Sequence, residues 1–195
     1  MRTPNWTTCT EGQLWRYVAW HLARRGIPTV LVGGAAASIY SEGAYRSGDL
    51  DLVPIGVRPA GEMATAMAEI GFASTGGRHF RHPKCKHLFV EFVSPPVAIG
   101  DDLRIVPRTL RAEKWTIQLL NPTDCVRDRL ASYIHFRARE CLDQAVLVAR
   151  RNRVNLVKIR NWCAGEGGAA QYQEFAAALR RPRRSGSGVE VLRPE

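Results

Sequence analysis

Two spacings of apolar residues divide the first part of the chain into a helix and two strands. Thr10 and Gln13 form the pattern of a capping box, and apolar residues then recur at helical spacing, which predicts a first helix that ends near Gly26. The runs "TVLV" at 29–32 and "DLDLV" at 49–53 are short and apolar or alternating, as partly buried strands are. Between them, a glycine pair and "AAASIY" favour a turn and a short helix.

The middle of the chain continues this pattern around a basic stretch. Residues 59–70 have helical spacing, and residues 74–87 ("STGGRHFRHPKCKH") carry glycines and basic side chains that predict a loop. The strand "LFVEFV" follows at 88–93. The runs "LRIV" at 103–106 and "TIQLL" at 116–120 predict two more strands, joined by an arginine-containing loop.

From Pro122 onward the spacing is helical, and four helices are predicted. Because strands and helices are mixed before this point and only helices follow it, the sequence predicts an α+β fold. A small mixed β-sheet flanked by helices is expected over residues 1–121, and a C-terminal helical lobe over residues 122–181. Residues 182–195 contain "RRPRRSGSG" and are expected to form a disordered basic tail.

The formal net charge of +10 is the strongest signal in the composition. A polyanionic partner, above all nucleic acid, would explain such a charge. Most of the basic residues are arginine, so a gene rich in G and C is an alternative explanation. Both explanations remain open at this point.

The cysteines and the apolar runs indicate where the protein works. Five cysteines are scattered without a CxxC pair, which favours reduced thiols over disulfides. No apolar run approaches the roughly 20 residues needed to span a membrane. The N-terminus has no apolar segment of the signal-peptide type. We therefore expect a cytoplasmic protein with no membrane partner.

Gly33-Gly34 and the pair Asp49 and Asp51 are the first candidates for chemistry. Two glycines between a strand and a helix let a phosphate approach bare backbone N–H groups, although a plain tight turn has the same pattern. Asp49 and Asp51 point to one face of their strand, where their mutual repulsion is relieved by a divalent cation. Oxygen ligands of this kind suit Mg²⁺, and a solvated strand end is the alternative.

Glu91 is the third acidic candidate. It lies in the middle of "FVEFV", where a buried carboxylate without a partner would be costly. A metal already held by Asp49 and Asp51 would supply that partner. Three carboxylates on adjacent strands beside a phosphate-binding turn describe a two-metal site for phosphoryl transfer.

These three segments resemble the nucleotidyltransferase superfamily, the fold shared by DNA polymerase β and the aminoglycoside nucleotidyltransferases. The matching segments are Val32-Gly33-Gly34, Asp49-Leu50-Asp51-Leu52 and Val90-Glu91-Phe92. The resemblance implies a nucleotidyltransferase-like sheet, an NTP as substrate and two Mg²⁺ ions held by Asp49 and Asp51. It also implies that Glu91 completes the site for the incoming hydroxyl, and Glu91 is a candidate general base.

Residues near these motifs are candidate contacts for substrate. Arg46 and Ser47 precede the aspartates and could touch phosphates, or could simply face water. The basic stretch contains no acid, and its cations would contact triphosphate or the backbone of an acceptor, with Phe80 stacking on a base. These cations are Arg78, Arg81, Lys84 and Lys86. A solvated hairpin, or a zinc site made by His79, His82, Cys85 and His87, are the alternatives.

The segment 128–151 is similar to part of the AbiEii-type toxin nucleotidyltransferases of toxin–antitoxin systems. Arg129 stands where that family has a lysine, and Glu140 and Asp143 stand at the positions of two later acids. An arginine at this position binds phosphate as a planar fork and does not act as a base. The resemblance implies a nucleotide-binding role for Arg129 and an antitoxin partner. Ion pairs on helix faces are the alternative.

The expected function is transfer of a nucleoside monophosphate from an NTP to a hydroxyl acceptor. The positive charge favours RNA, in particular tRNA, and a toxin role is a further option. Modification of a small molecule such as an aminoglycoside is the first alternative, although a basic chain fits a cationic drug poorly. A non-catalytic relative that binds RNA or a protein is the second alternative.

Overall fold

Seven strands form one mixed sheet, and seven helices flank it, within residues 1–57 and 59–182, which this computed structural model describes (for residue 60, the backbone only). The strands are β1 (Thr29–Val32), β2 (Asp49–Pro54), β3 (Ala73–Gly76), β4 (His79–His82), β5 (Cys85–Phe92), β6 (Arg108–Ala112) and β7 (Trp115–Leu119). The helices are α1 (Glu11–Arg24), α2 (Gly33–Tyr40), α3 (Ala60–Ala68), α4 (Pro122–Phe136), α5 (Arg139–Arg151), α6 (Leu156–Gly165) and α7 (Ala169–Arg180). The expected α+β class is confirmed. From residue 183 onward, the predicted tail lies outside the described residues.

The order of the strands places β2 near the middle of the sheet. The order is β3-β4-β5-β2-β1-β7-β6, with β2 antiparallel to β1 and parallel to β5. β1 leads directly into α2, and β1 also pairs in parallel with β7. Consequently the start of α2 and the acidic strand β2 lie side by side.

Helix α1 begins where the sequence pattern predicts. Thr10 accepts a hydrogen bond from the backbone N–H of Gln13, and the Gln13 side chain accepts one from the backbone N–H of Thr10. These two bonds satisfy backbone donors that a helix start otherwise leaves without partners. The helix buries an apolar stripe that includes Leu14, Trp15 and Val18, which joins it to the main core.

Two predictions about strands and loops are wrong. The run 103–106 is not a strand, because Leu103 and Val106 are largely exposed and the next residue, Pro107, has no backbone N–H to donate. The arginines predicted in the loop after it, Arg108 and Arg111, lie on β6 instead. β6 belongs to the sheet because it pairs with β7. The apolar residues near β6 in the sequence do not predict this pairing.

The basic stretch at 74–87 is not a loop. It forms most of β3, all of β4 and the beginning of β5, which are three antiparallel strands at one edge of the sheet. β3 pairs with β4, and β4 pairs with β5. The sequence pattern does not predict β3, because its four residues are all exposed and lack the alternation of a half-buried strand. The hairpin between β4 and β5 matches the alternative that the sequence left open.

The predicted C-terminal helices pack against α2 and against one another. α4 and α5 pack against each other and against α2, and buried residues of α4 to α7 join the same hydrophobic cluster as the sheet. Arg127 is almost fully buried and holds two acids, Asp124 at 2.8 Å and Asp102 at 2.7 Å. The pair with Asp102 connects α4 to the segment before β6. The division of the chain at residue 121 stays a prediction.

All five cysteines are buried free thiols. Among the described residues, no helix combines the length and the apolar character that crossing a bilayer requires.

Candidate active site

Three carboxylates meet on one face of the sheet. Asp49 and Asp51 are half-buried, whereas Leu50 and Leu52, which alternate with them, are fully buried in the core. Glu91 stands directly beside Asp51 in the parallel register of β5 and β2. The sheet therefore brings together all three residues predicted as metal ligands.

Gly33 allows the start of α2 to approach Asp51. Its φ is +70°, a conformation that glycine adopts at no steric cost. A Cβ at this position would lie 3.0 Å from Asp51 Cγ and closer still to Asp51 Oδ2. Any side chain would therefore push against the carboxylate. The first backbone N–H groups of α2, which have no partner within the helix, begin at this point.

Ser47 connects the loop before β2 to the acidic cluster. Its hydroxyl donates to Asp49 Oδ1 at 2.7 Å, and its backbone N–H donates to Glu11 Oε1 at 2.8 Å. A Cβ on Gly34 would lie 2.7 Å from Ser47 Oγ, so the second glycine of the pair leaves room for this hydroxyl. Ser47 thus orients Asp49, and both of its donors are engaged within the protein.

Arg46 and Glu11 form an ion pair at the same loop. Arg46 Nε lies 3.2 Å from Glu11 Oε1, and Glu11 is almost fully buried while about half of the Arg46 side chain is exposed. Glu11 fixes the loop through two groups, the Arg46 guanidinium and the Ser47 N–H. The remaining guanidinium N–H groups of Arg46 can reach an anion at the surface.

Electrostatics at Asp51 favour a bound cation. The pKa of Asp51 is raised to about 7, mainly by burial and also by the neighbouring Asp49 and Glu91 carboxylates. Arg129 acts in the opposite direction. A divalent cation would remove the repulsion among the three acids, and their oxygen donors suit Mg²⁺. The residues present therefore fit the ion that the sequence motif implies.

Glu91 also has two basic partners. Arg78 Nη2 forms an ion pair with Glu91 Oε1 at 3.1 Å, and His79 Nε2 lies 3.1 Å from Glu91 Oε2. Arg78 is about half-exposed, and exposed ion pairs of this kind contribute about 0–1 kcal/mol. A carboxylate has about four lone-pair positions, so Glu91 can keep a basic partner and still accept a further ligand.

Arg129 on helix α4 affects the cluster through its charge. It is mostly buried, and its guanidinium donates to Asp128 Oδ2 at 2.7 and 3.0 Å and to Gln144 Oε1 at 3.4 Å. Its charge lowers the pKa of Asp51. Glu140 and Asp143, by contrast, are exposed on α5. Arg129 therefore acts on Asp51 through its charge, whereas the two acids lie at the surface of α5.

The other predicted contacts of the basic stretch lie in different environments. The Arg81 guanidinium lies 4.5 Å from the centre of the Phe89 ring, while Lys84 and Lys86 are exposed. Phe80 does not stack on a base, because it is 5% exposed and packs edge-to-face against Phe92 in the core. Strand alternation explains this correction, since Phe80 points to the opposite face from His79 and Arg81.

The zinc set proposed as an alternative does not assemble. His79 contacts Glu91, whereas His82 is buried and stacks on Trp6 with the ring centres 3.9 Å apart. Of the four residues, Cys85 and His87 have ligand atoms 4.0 Å apart.

Sequence reasoning missed Glu11, Asp128 and Phe89. Glu11 precedes Leu14 and Trp15 by three and four residues, so it lies on the apolar stripe of α1, and a charge in that stripe was the available signal. Asp128 is next to Arg129, and its partner and its effect on Asp51 depend on how α4 packs. Phe89 is half-buried beside Arg81, and no local pattern distinguishes it from a core residue.

Comparison with solved structures identifies the fold. A nucleotidyltransferase-like antigenic protein from Paracoccidioides brasiliensis is similar with a TM-score of 0.61 and 14% identity, over 89% of this chain and 93% of that protein. ANT(2″)-Ia in complex with adenylyl-2″-tobramycin is similar with a TM-score of 0.50 and 14% identity, over 86% of this chain and 95% of that protein. Neither a known protein family nor the sequence of a curated protein matches the chain.

The chain therefore has a nucleotidyltransferase-like fold, as its sequence motifs predict. The similarity to AbiEii-type toxins stays a prediction.

Proposed function

We propose that the protein is a Mg²⁺-dependent nucleotidyltransferase that transfers a nucleoside monophosphate from an NTP to a hydroxyl of an RNA acceptor. The observation that carries the proposal is the convergence of Asp49, Asp51 and Glu91 beside the N-terminus of α2. Burial and the neighbouring acids raise the pKa of Asp51 to about 7, and a cation would relieve the repulsion. The nucleotidyltransferase-like fold supports the same function.

Asp49 and Asp51 would hold two Mg²⁺ ions, with Glu91 as a further ligand for one of them. Bound there, the ions supply positive charge to the attacking oxygen, the α-phosphate and the leaving pyrophosphate. Ser47 keeps Asp49 in place through its hydroxyl hydrogen bond. The N–H groups at the start of α2 and the free donors of Arg46 would bind phosphate oxygens.

The chemical step joins the acceptor oxygen to the α-phosphorus and breaks the bond from that phosphorus to the bridging oxygen of pyrophosphate. The hydroxyl proton needs an acceptor, and Glu91 is the side chain for this role on the sheet face of the cluster. Its contacts with Arg78 and His79 fix the carboxylate in position. Arg129 would offset the negative charge that accumulates near Asp51.

The surface around Glu91 favours an anionic acceptor. Arg78, His79 and Arg81 lie on or beside this edge of the sheet, and Lys84 and Lys86 extend the basic surface along the β4–β5 hairpin. Together with the net charge of +10, this surface would attract the RNA backbone and repel a polycationic aminoglycoside. A small-molecule acceptor is the second candidate, because one protein of similar fold is in complex with adenylyl-2″-tobramycin.

Replacing Lys84 and Lys86 with serine should weaken RNA binding without changing its sequence preference. Each lysine that contacts a phosphate contributes about one to the slope of log K against log salt, so the slope should fall by about 2. The measurement is RNA binding by fluorescence anisotropy at several salt concentrations.

Arg111→Ser with Lys114→Ser is the matched control. It removes two exposed charges from the β6–β7 hairpin at the opposite edge of the sheet. Equal losses for the two double variants would contradict a specific role for the β4–β5 hairpin and would indicate only a net-charge effect.

Label transfer is the direct test of the activity. The purified protein is incubated with each α-labelled NTP, Mg²⁺ and total RNA, and then with aminoglycosides in place of RNA. We expect label on RNA, dependent on Mg²⁺ and blocked by chelation. Label on the small molecule alone would favour the second candidate, and no turnover of any NTP would favour a non-catalytic binding protein.

A toxin role rests on the resemblance of residues 128–151 and has its own test. Induced expression of the wild-type chain should arrest bacterial growth, while an inactive Asp51 variant should not. Growth arrest by both proteins, or by neither, would remove the toxin hypothesis and its antitoxin partner.

A further inference from the structure

A second group of potential metal ligands lies outside the carboxylate cluster. The ligand atoms of Cys9, Cys85 and His87 all lie within 4.8 Å of one another. Cys9 is in the segment that precedes α1, and the other two residues begin β5. The cluster therefore joins parts of the chain that are 76 residues apart in sequence, counting from Cys9 to Cys85.

The spacing of the three atoms is close to that of a tetrahedral zinc site. A Zn–S bond of about 2.3 Å gives a separation of about 3.8 Å between ligands in a regular tetrahedron. Cys85 Sγ and His87 Nδ1 are 4.0 Å apart. Small side-chain rotations would bring all three atoms to ligand distance, with no change in the backbone path.

The hydrogen bond of His87 uses Nε2 and leaves Nδ1, the nitrogen that faces Cys85, available to bind a metal. His87 Nε2 lies 2.9 Å from the carbonyl oxygen of Cys9. A carbonyl only accepts hydrogen bonds, so Nε2 carries the proton, and Nδ1 of the neutral ring presents its lone pair toward Cys85. Zinc-binding histidines commonly donate their other N–H to a carbonyl in this way, which fixes the ring and its tautomer.

We propose that Cys9, Cys85 and His87 bind a Zn²⁺ ion that attaches the N-terminal segment to strand β5. Both cysteines are buried and His87 is exposed. With three protein ligands, a water would complete the four-coordinate shell, as in open zinc sites. The segment already contacts the β4–β5 hairpin, because Trp6 stacks on His82 and the Cys9 carbonyl oxygen lies 2.9 Å from His87 Nε2. The ion adds metal–ligand bonds to these contacts.

The attachment reaches toward the candidate active site without being part of it. Cys9 is two residues before Glu11, whose carboxylate accepts the Ser47 N–H. A fixed Cys9 would restrain the start of α1 and hence this acceptor. The zinc proposal does not depend on the nucleotidyltransferase activity.

Co²⁺ replacement tests the site in the full chain. Protein purified under reducing conditions is stripped with chelator and titrated with Co²⁺, which gives a near-ultraviolet thiolate-to-cobalt band only when cysteines are ligands. We expect one equivalent to bind with this band, and Zn²⁺ to displace it. Absence of the band, or a Cys9–Cys85 disulfide in the reduced preparation, would overturn the proposal.

Two variants and two controls make the assignment specific. His87→Gln retains a side-chain N–H for the Cys9 carbonyl but loses Nδ1, and Cys85→Ser loses a thiolate. Because outer-shell changes alone cost about 10–100-fold in affinity, loss of a ligand should weaken Zn²⁺ binding at least about 100-fold. Cys163→Ser removes a buried thiol elsewhere and should leave binding unchanged. Unchanged binding by folded His87→Gln would contradict the site, even if Cys85→Ser fails to fold.

Asp51→Asn, the second control, distinguishes this site from the carboxylate cluster. The cobalt–thiolate band should persist in that variant, because none of its ligands has changed. Loss of the band in Asp51→Asn would show that metal binding by the cysteines requires the carboxylate cluster, and would overturn the proposal of an independent site.

Discussion

Asp51→Asn is expected to lower nucleotidyl transfer by about 10³-fold or more. Metal ions contribute several kcal/mol to stabilising the transition state of phosphoryl transfer, and each 1.36 kcal/mol corresponds to about tenfold in rate. The amide oxygen is a weaker ligand without charge, so the variant loses most of this contribution. The measurement is the initial rate of label transfer at saturating NTP. A rate within about tenfold of the wild type would place the metal site elsewhere.

The same substitution should stabilise the metal-free protein in alkaline buffer. The pKa of Asp51 is near its usual 3.8 in the unfolded chain and is raised to about 7 in the folded protein. The folded state therefore binds the proton more tightly, and its stability falls as the pH rises from about 4 to about 7. The asparagine side chain carries no charge, so at about pH 8 the variant should gain up to about 4 kcal/mol in free energy of unfolding.

Thermal unfolding in the presence of chelator checks this effect. The difference between Asp51→Asn and the wild type should be large at about pH 8 and small at about pH 4, below which Asp51 is protonated in both the folded and the unfolded state. Asp101→Asn, at an exposed position, changes the net charge equally and should show no such gain. A stabilisation that is equal at both pH values would contradict the proposed cause.

Gly33→Ala is expected to lower transfer by about 10²-fold and the free energy of unfolding by about 1–2 kcal/mol. The position has a φ of +70°, where a Cβ costs about 1–2 kcal/mol. The added methyl would also displace the Asp51 carboxylate, because a Cβ on Gly33 would lie 3.0 Å from Asp51 Cγ. Misplacement of a catalytic group by about 1 Å can cost about 10²-fold in rate. Initial rates of label transfer and chemical denaturation measure the two effects.

Gly48→Ala provides the matched control. Gly48 directly precedes β2, and a Cβ there would meet no atom within 4 Å. The control should change the rate and the melting temperature little. If both alanine variants lose activity equally, the close approach of Gly33 to Asp51 is not the cause.

The carboxylates could be predicted because the spacing of residues within a strand sets the face to which each side chain points. Asp49 and Asp51 alternate with Leu50 and Leu52, so the two acids share a strand face wherever that strand lies. Glu91 is likewise distinguished by the apolar residues on both sides of it. The capping box of α1 and the glycine corner are similarly local features, and the structure has both.

The partners of those residues could not be predicted. Arg78 and His79 meet Glu91 because β4 pairs with β5, whereas the composition of the basic stretch predicts a loop. The composition of the same stretch predicts an exposed Phe80, whereas in the structure strand alternation points its ring into the core. Glu11 reaches Ser47 across 36 residues, a contact that depends on how α1 packs beside the sheet.

By itself, the sequence determined the candidate chemistry: a glycine corner, two acids on one strand, a third acid on another and a strongly basic chain. The tertiary structure alone decided that the third acid lies beside the second, that basic groups hold it, and that Cys9 meets Cys85 and His87. The physical reason is that side-chain direction within a helix or strand follows from local backbone geometry, whereas contacts between distant segments depend on strand order and packing.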